Sequence, residues 1–162
     1  MSRREKHFPY KSILVVCSVN TARSPMVVGF LKKILAENNI SDVEIFSGGI
    51  SSHARDGMLT SLDAKMVMEE VGIKLPEDYM SIDLKKHRDL ISKADLILTL
   101  TEQHKKEIKN FDESKDKEIL PLKEIAGETG DIEDPSMGGL RKFREIRNSI
   151  KKYLDKWFKK FF

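Results

Sequence analysis

The most informative stretch of the sequence is LVVCSVNTARSPM, residues 14–26, which carries the chain's only cysteine, Cys17, six residues before Arg23. A cysteine thiolate is a nucleophile that can attack phosphorus, and an arginine guanidinium can hold two phosphate oxygens at once. The backbone N–H groups of a short turn between them can converge on the same anion. Residues 17–24 are therefore predicted to form a phosphate-binding loop with a nucleophile at its floor, here called the phosphate loop.

The two residues after Arg23 indicate where the next helix starts. Serine is favoured as an N-cap and proline at the first helical position, so Ser24 and Pro25 predict a helix directly behind the loop. The positive end of that helix would attract an anion and favour the ionised form of a nearby thiol. An isolated cysteine is more often a small buried apolar residue. Here, however, the arginine and the Ser-Pro pair fall where phosphate chemistry needs them.

Transfer of a phosphoryl group to a thiolate also needs an acid that protonates the leaving group. The segment GDIEDPSMGG, residues 130–139, offers Asp131, Glu133 and Asp134. Pro135 restricts the residue before it to extended backbone, which would hold Asp134 in a defined conformation. From the residues alone, a simple turn at Asp-Pro is an equally good interpretation.

Four short apolar segments predict buried strands, and amphipathic segments between them predict helices. The strands are expected at residues 12–17, 43–47, 94–100 and 117–122, and the helices at 26–38, 60–73, 101–110 and 139–162. This alternation indicates an α/β fold with a parallel sheet. In such sheets ligands bind beyond the carboxyl ends of the strands, and Cys17 lies at that end of the first strand.

Two helical segments carry more detailed predictions. In residues 60–73, Leu62, Met66 and Val67 are expected on one buried face, and Gly72 is expected to end the helix. The last segment has aromatic and aliphatic residues at three- and four-residue spacings, with lysines and arginines elsewhere. This pattern favours a helix that packs on the sheet and keeps a solvated basic face, and a helix lying on a membrane surface is the alternative.

The composition limits the class of protein. The length fits a single domain over residues 1–162, in which residues 1–10 are expected to form a flexible N-terminal extension. A net charge of +3 is too balanced to indicate nucleic acid as a partner, and no apolar stretch is as long as a membrane span. A single cysteine forms no internal disulfide, which favours the cytoplasm. The four histidines lack metal-ligand spacing and are expected at the surface, so neither a metal nor another cofactor is predicted.

The segment VCSVNTARSP resembles the signature V-C-x-G-N-x-x-R-S-P of the low-molecular-weight protein tyrosine phosphatases. Three further segments resemble the same family: FSGGI at 46–50, ADLILTLTEQHKKEI at 94–108 and IEDP at 132–135. The resemblance implies a three-layer fold with a four-stranded parallel sheet, helices on both faces and the phosphate loop after the first strand. It also implies a cysteine-dependent protein phosphatase that hydrolyses phosphotyrosine through a phosphocysteine intermediate.

The resemblance further implies a role for each matching residue. Cys17 would be the nucleophile, Arg23 the phosphate clamp, and Asp134 the general acid and then the base. Phosphate would be bound by Ser18, Val19, Asn20, Thr21, Ala22 and Ser24, supported by Ser47, Pro135 and Ser136. Asn20 would be left-handed and buttressed by Ser47, while Ser24 would hydrogen-bond the thiolate, a role that competes with helix capping.

Four residues depart from the family pattern. Val19 replaces a glycine, which puts the loop's conformation and activity in question. Ala22 replaces a cysteine that can trap the nucleophile as a reversible disulfide, so overoxidation is expected. Ser136 replaces an aromatic residue of the substrate cleft, and Thr21 resembles the residue found in bacterial protein-arginine phosphatases of this family. Phosphoarginine is therefore the alternative substrate to phosphotyrosine.

Two other functions are weaker alternatives. An arsenate reductase on the same fold relays oxidation through additional cysteines, and this chain has one. A binding module that keeps phosphate or a similar oxyanion without turnover would follow if Val19 disables the loop. The expected partners are phosphorylated protein side chains, with neither nucleic acid nor an integral membrane segment involved, and the chain is expected to be a monomer or a weak dimer.

Overall fold

The computed structural model describes residues 7–162, which contain a four-stranded parallel sheet of order β2-β1-β3-β4. The strands are β1 (Ser12–Cys17), β2 (Glu44–Gly49), β3 (Leu96–Thr99) and β4 (Glu118–Pro121). The predicted α/β class and all four predicted strands are confirmed. Because β1 is an inner strand between β2 and β3, its carboxyl end lies among loops from both neighbours.

Within residues 7–162, six α-helices connect and follow these strands. They are α1 (Arg23–Glu37), α2 (Leu62–Glu69), α3 (Asp89–Lys93), α4 (Glu102–Ile108), α5 (Leu122–Ile125) and α6 (Gly139–Phe158). The four predicted helices are confirmed. The sequence pattern missed α3 and α5, because five and four residues are too few to show a helical period. No helix within residues 7–162 has the length and apolar character needed to cross a membrane.

The sheet separates two apolar cores, which makes the fold three-layered. Successive residues of β1 point to opposite faces: Ile13, Val15 and Cys17 belong to the larger core, whereas Leu14 and Val16 belong to the smaller one. Helices α1, α2, α5 and α6 contribute to the larger core, and α3 and α4 contribute to the smaller one. The apolar stripe of α6 is buried in the larger core, as expected for a helix that covers the sheet.

The predicted buried face of α2 is wrong. Leu62 and Met66 are 69% and 43% exposed, whereas Ala64, Val67 and Met68 are buried. Of the three predicted residues, Val67 alone is buried. The true buried face includes Ala64, whose small side chain does not stand out in a pattern of large apolar residues. Gly72 follows the helix with a φ of 78°, a conformation that suits glycine.

The expected flexible extension over residues 1–10 does not describe residues 7–10. Phe8 is buried, stacks on Phe158 with ring centroids 5.5 Å apart, and meets the edge of Trp157 at 5.7 Å. Burial of an aromatic ring and its edge-to-face contacts stabilise this attachment to α6. The remaining part of that prediction, residues 1–6, lies outside the described residues.

Candidate active site

The phosphate loop joins β1 to α1 at the carboxyl edge of the sheet, and Cys17 at its floor is 2% exposed. The backbone after β2 holds this loop, since Ile50 N–H donates to Cys17 O at 3.0 Å and Ser51 N–H donates to Ser18 O at 3.1 Å. A Cβ atom on Gly49 would lie 2.7 Å from Ser18 O. Glycine is therefore required at position 49, which accounts for part of the FSGGI motif.

Among the described residues, two groups form hydrogen bonds with the sulfur of Cys17. Ser24 Oγ lies 2.9 Å from it, and the N–H of Asn20 donates to it at 3.2 Å. Helix α1 begins at Arg23 with Ala22 as its N-cap, and no side chain caps it. The prediction that Ser24 is the N-cap is therefore wrong: its hydroxyl faces Cys17.

A chain of hydrogen bonds continues from Ser24 into the protein. Asn20 is fully buried, and its Oδ1 accepts from Ile82 N–H at 2.9 Å and from the Tyr79 hydroxyl at 2.8 Å. This fixes the amide orientation, so that Nδ2 donates to Ser24 Oγ at 2.7 Å. Because Tyr79 donates to Asn20, its oxygen is left to accept from the hydroxyl of Ser47, with which it is also hydrogen-bonded.

The direction of these bonds matters for the sulfur. Ser24 Oγ accepts from Asn20, so its own proton is available to Cys17. The donor order then runs from Ser47 to Tyr79, Asn20, Ser24 and finally Cys17. Ser47 contacts Asn20 through Tyr79, a residue that no local sequence signal singled out.

The backbone conformation of the phosphate loop shows whether Val19 is strained there. Among the described residues, the non-glycine positions with positive φ are Asn20, Asn39, Asp116 and Met137. Asn20 has a φ of 65°, which asparagine tolerates, and Val19 is outside the left-handed region. Valine therefore replaces the family's glycine without backbone strain.

Arg23 connects the phosphate loop to the segment 131–136, here called the acid loop. Its guanidinium is buried, with Nη1 donating to Ile132 O at 2.8 Å and Nη2 donating to Ser18 Oγ at 3.2 Å. Ile132 is itself tied to the end of β3, because its N–H donates to Leu100 O at 2.9 Å. Acceptors in both loops thus fix the orientation of the Arg23 guanidinium.

His104 lies behind the loop, and its expected surface location is wrong. It is 4% exposed, and its Nε2 lies 2.9 Å from Ser18 Oγ, while Nδ1 has no hydrogen-bond partner among residues 7–162. Burial, together with the charge of Arg23, lowers the pKa of His104 to about 4. The ring is therefore neutral near pH 7. The hydroxyl of Thr101 caps α4 by accepting from His104 N–H at 3.1 Å, but no local sequence signal indicates that the His104 ring is buried.

The acid loop distinguishes its three carboxylates by their partners. Asp131 accepts from Glu102 N–H at 2.9 Å and so holds the start of α4, while Glu133 pairs with Lys142 at 2.7 Å. Asp134 is exposed, and its Oδ1 accepts from Ser136 N–H at 2.9 Å. Among the three, Asp134 is the carboxylate held only within its own loop.

Opposing effects set the pKa of Asp134. Partial desolvation raises it, but the backbone and hydroxyl of Ser136, together with the charge of Arg23, outweigh that effect and leave it below its ordinary value. The hydrogen bond from Arg23 to Ile132 O places the acid loop next to the phosphate loop. Within residues 7–162, no group of three histidine, cysteine or acidic side chains is arranged to hold a metal ion.

A buried cysteine that receives hydrogen bonds at the end of a central parallel strand, beside a buried arginine, is the arrangement of a cysteine-dependent phosphatase. The model of the family described as low molecular weight phosphotyrosine protein phosphatase matches residues 12–161. The chain belongs to this family.

Relatives with two different descriptions are similar over most of the chain. The protein-arginine-phosphatase of Geobacillus stearothermophilus is 36% identical over 149 residues, which cover 91% of this chain and 93% of the relative. The low molecular weight protein-tyrosine-phosphatase PtpB of Staphylococcus haemolyticus is 34% identical over 134 residues, covering 82% and 87%. The solved structure of the YwlE arginine phosphatase from G. stearothermophilus superposes with a TM-score of 0.80 at 36% identity, covering 94% of this chain and 92% of that one.

Proposed function

We propose that this chain is a protein phosphatase that hydrolyses phosphotyrosine in two steps through a phosphocysteine at Cys17. The observation that carries the proposal is the pair of donors on the sulfur, from Ser24 at 2.9 Å and from the N–H of Asn20 at 3.2 Å. Two donors stabilise a thiolate over a thiol, and the thiolate is the nucleophilic form. Membership of the family supports the same chemistry.

In the first step, a lone pair of the Cys17 thiolate attacks phosphorus and the bond from phosphorus to the phenolic oxygen breaks. Asp134 gives its proton to that oxygen, so tyrosine leaves neutral. Arg23 and the N–H groups of the phosphate loop stabilise the charge that develops on the equatorial oxygens.

In the second step, the ionised Asp134 takes a proton from water while the water oxygen attacks phosphorus. The bond between sulfur and phosphorus breaks, inorganic phosphate leaves, and the thiolate of Cys17 is regenerated. Asp134 is again protonated, which prepares the enzyme for the next substrate. The lowered pKa of Asp134 keeps it ionised, which is the form that can accept a proton from water, while the dianionic phosphate of a bound substrate favours its protonation for the first step.

Phosphoarginine is the second candidate substrate, and two residues favour it. Thr21 brings a hydroxyl to the loop, which suits a polar guanidinium better than a phenyl ring. Ser136 leaves the acid loop without an aromatic wall for that ring. The name of the G. stearothermophilus relative points in the same direction. In that reaction the bond broken is between phosphorus and nitrogen.

The hydrolysis of p-nitrophenyl phosphate by wild type and by Cys17→Ser tests the catalytic proposal. We expect turnover to vanish in the variant while its circular dichroism spectrum is unchanged. Equal rates in two folded proteins would contradict the proposal and leave a phosphate-binding module as the function.

Peptides that carry phosphotyrosine or phosphoarginine decide between the two substrates. If the hydroxyl of Thr21 favours phosphoarginine, Thr21→Ile and Ser136→Phe should each shift the ratio of kcat/KM toward phosphotyrosine. Ser41→Phe is the matched control, since Ser41 is exposed and precedes β2, at the amino-terminal end of the strands and opposite the phosphate loop. A ratio that stays constant in all three variants would remove the role of Thr21 and Ser136 in substrate choice.

We place the protein in the cytoplasm, because an unprotected thiolate nucleophile is maintained in a reducing compartment. Its partners are phosphorylated protein side chains, and it acts as a single domain, as a monomer or weak dimer.

A further inference from the structure

A cavity of about 520 Å³ lies beside the phosphate loop, between α1, β2 and the segment 72–82. This volume is within the range of roughly 300–1,000 Å³ found for small-molecule sites. Its walls include Val28 of α1, Ile45 of β2 and Ile82. The cavity, here called the α1–β2 cavity, plays no part in the proposed reaction.

The charges around the cavity are of one sign. Lys32, Lys33 and Lys74 line it and are exposed, whereas no aspartate or glutamate of the described part of the chain is among the lining residues. The interior is apolar and the solvent-facing lysines are cationic. This combination is complementary to a molecule with an apolar chain and an anionic end.

One polar group in the wall lacks a partner. Thr60 lines the cavity and is 6% exposed, and its hydroxyl makes no hydrogen bond among residues 7–162. A buried hydroxyl without a partner is destabilising.

The wall is also connected to the catalytic cysteine. Ser47 and Tyr79 line the cavity, and they are the first two members of the hydrogen-bond chain that ends at Cys17. Next to Thr60, the N–H of Ser61 donates to Thr21 O of the phosphate loop at 2.8 Å. An occupant therefore touches Tyr79, which supports the loop through Asn20, and Thr60, the neighbour of Ser61.

We propose that the α1–β2 cavity is a binding site for a medium-chain carboxylate, whose occupancy lowers turnover at Cys17 by displacing Tyr79, the residue whose hydroxyl donates to Asn20. The alkyl chain lies against Val28, Ile45 and Ile82, and the carboxylate faces Lys32 and Lys74.

Calorimetric titration of the full chain with decanoate tests the site, with decyltrimethylammonium as the probe of equal chain length and opposite charge. We expect saturable binding of decanoate at a stoichiometry of one, and at least tenfold weaker binding of the cation. Absence of saturable binding, or equal binding of both probes, would overturn the proposal.

Variants localise the site. Val28→Trp fills the cavity and is expected to weaken decanoate at least tenfold. The double variant Lys32→Glu with Lys74→Glu changes only exposed residues, so it tests the site even if the tryptophan variant does not fold, and it should weaken binding at least fivefold. Lys106→Glu with Lys109→Glu is the matched control, because these exposed lysines lie outside the cavity. Equal loss in the control would show attraction by net charge alone and overturn the proposal.

Two measurements separate this site from the phosphate loop. Saturating inorganic phosphate, and the substitution Cys17→Ser, should leave the affinity for decanoate unchanged, whether or not the chain proves to be a phosphatase. Loss of binding in phosphate would place decanoate in the phosphate loop and overturn the proposal. Saturating decanoate should lower kcat for p-nitrophenyl phosphate at least twofold in wild type and leave kcat of Tyr79→Phe unaltered. A wild-type kcat that decanoate does not change would overturn the coupling.

Discussion

The hydroxyl of Tyr79 donates a hydrogen bond of 2.8 Å to the side-chain oxygen of Asn20, 59 residues away in the sequence. Asn20 is the residue whose left-handed backbone turns the phosphate loop, and its N–H lies on the sulfur of Cys17. Tyr79 therefore supports the conformation of the loop from outside it. Burial raises the pKa of Tyr79, which keeps the phenol protonated as this donation requires.

Tyr79→Phe should lower kcat for p-nitrophenyl phosphate roughly tenfold, because small displacements of a nucleophile are costly to the rate. The loss of stability should be about 1 kcal/mol, the usual contribution of one hydrogen bond. Tyr10→Phe is the matched control, since the Tyr10 hydroxyl donates to Glu118 at 2.9 Å away from the loop. Urea unfolding and steady-state kinetics of both variants check this, and an equal fall of kcat in the two would contradict it.

Asp134→Asn should reduce kcat for an aryl phosphate by about 10²–10⁴-fold, because the amide neither donates a proton to the leaving group nor accepts one from water. The effect should be largest for substrates with basic leaving groups. Glu133→Gln, which alters an exposed carboxylate paired with Lys142, is the control and should retain activity. Similar losses in both variants would remove Asp134 as the acid.

Ser136→Ala should move the alkaline limb of the pH profile of kcat/KM to higher pH. The hydroxyl of Ser136 helps to hold the pKa of Asp134 below its ordinary value, so its removal lets that pKa rise. The acid must be protonated in the first step, so activity falls as pH rises through this pKa and falls later in the variant. A profile that coincides with that of wild type would show that the hydroxyl does not tune Asp134.

His104 should make the protein less stable in mild acid. Its pKa is lowered from 6.5 to about 4 in the folded chain, so between these values the unfolded state binds a proton that the native state does not. The free energy of unfolding therefore decreases as pH falls from 6.5 to 4, by roughly 3 kcal/mol in total. His104→Gln should flatten this dependence in urea titrations, whereas exposed His53→Gln should not. Parallel pH dependences in wild type and His104→Gln would exclude this origin.

Val19→Gly should not raise turnover by more than about twofold, although it restores the residue that the family usually has. Val19 lies outside the left-handed region, so glycine relieves no strain there. Because glycine loses more backbone entropy on folding, it should instead lower the free energy of unfolding by about 0.5–1 kcal/mol. Asn20→Gly removes the side chain that bonds Ser24 and serves as the contrast, with a large expected loss. A strongly activated Val19→Gly would show that valine distorts the loop.

The parts of the fold and site that follow local rules could be predicted from sequence. The strand before Cys17 depends on a few consecutive residues, and the left-handed Asn20 followed from the resemblance to the family. Tyr79 and His104 could not be found in this way, because each acts on a loop residue 59 or 86 positions distant. Their roles arise from the packing of separate elements, and neither the residue types nor the neighbouring residues in the sequence predict that packing.

Two errors have a similar physical origin. Ser24 has the right type for an N-cap, but the sulfur and Asn20 compete for its hydroxyl and bind it instead. The buried face of α2 was displaced because tertiary packing selected Ala64 over the larger Leu62. In both cases a local preference is real and a partner from elsewhere in the fold outweighs it.

The hydrogen bond from Arg23 to Ile132 joins residues 109 positions apart, and it has a consequence for how the protein becomes active. Contacts of such long separation are slow to form, because the intervening chain must be ordered before they stabilise anything. Helices such as α1 and α6 consist of local contacts and can form early. We therefore expect a refolding chain to form its helices before Arg23 meets the acid loop, so that catalytic activity returns late in folding.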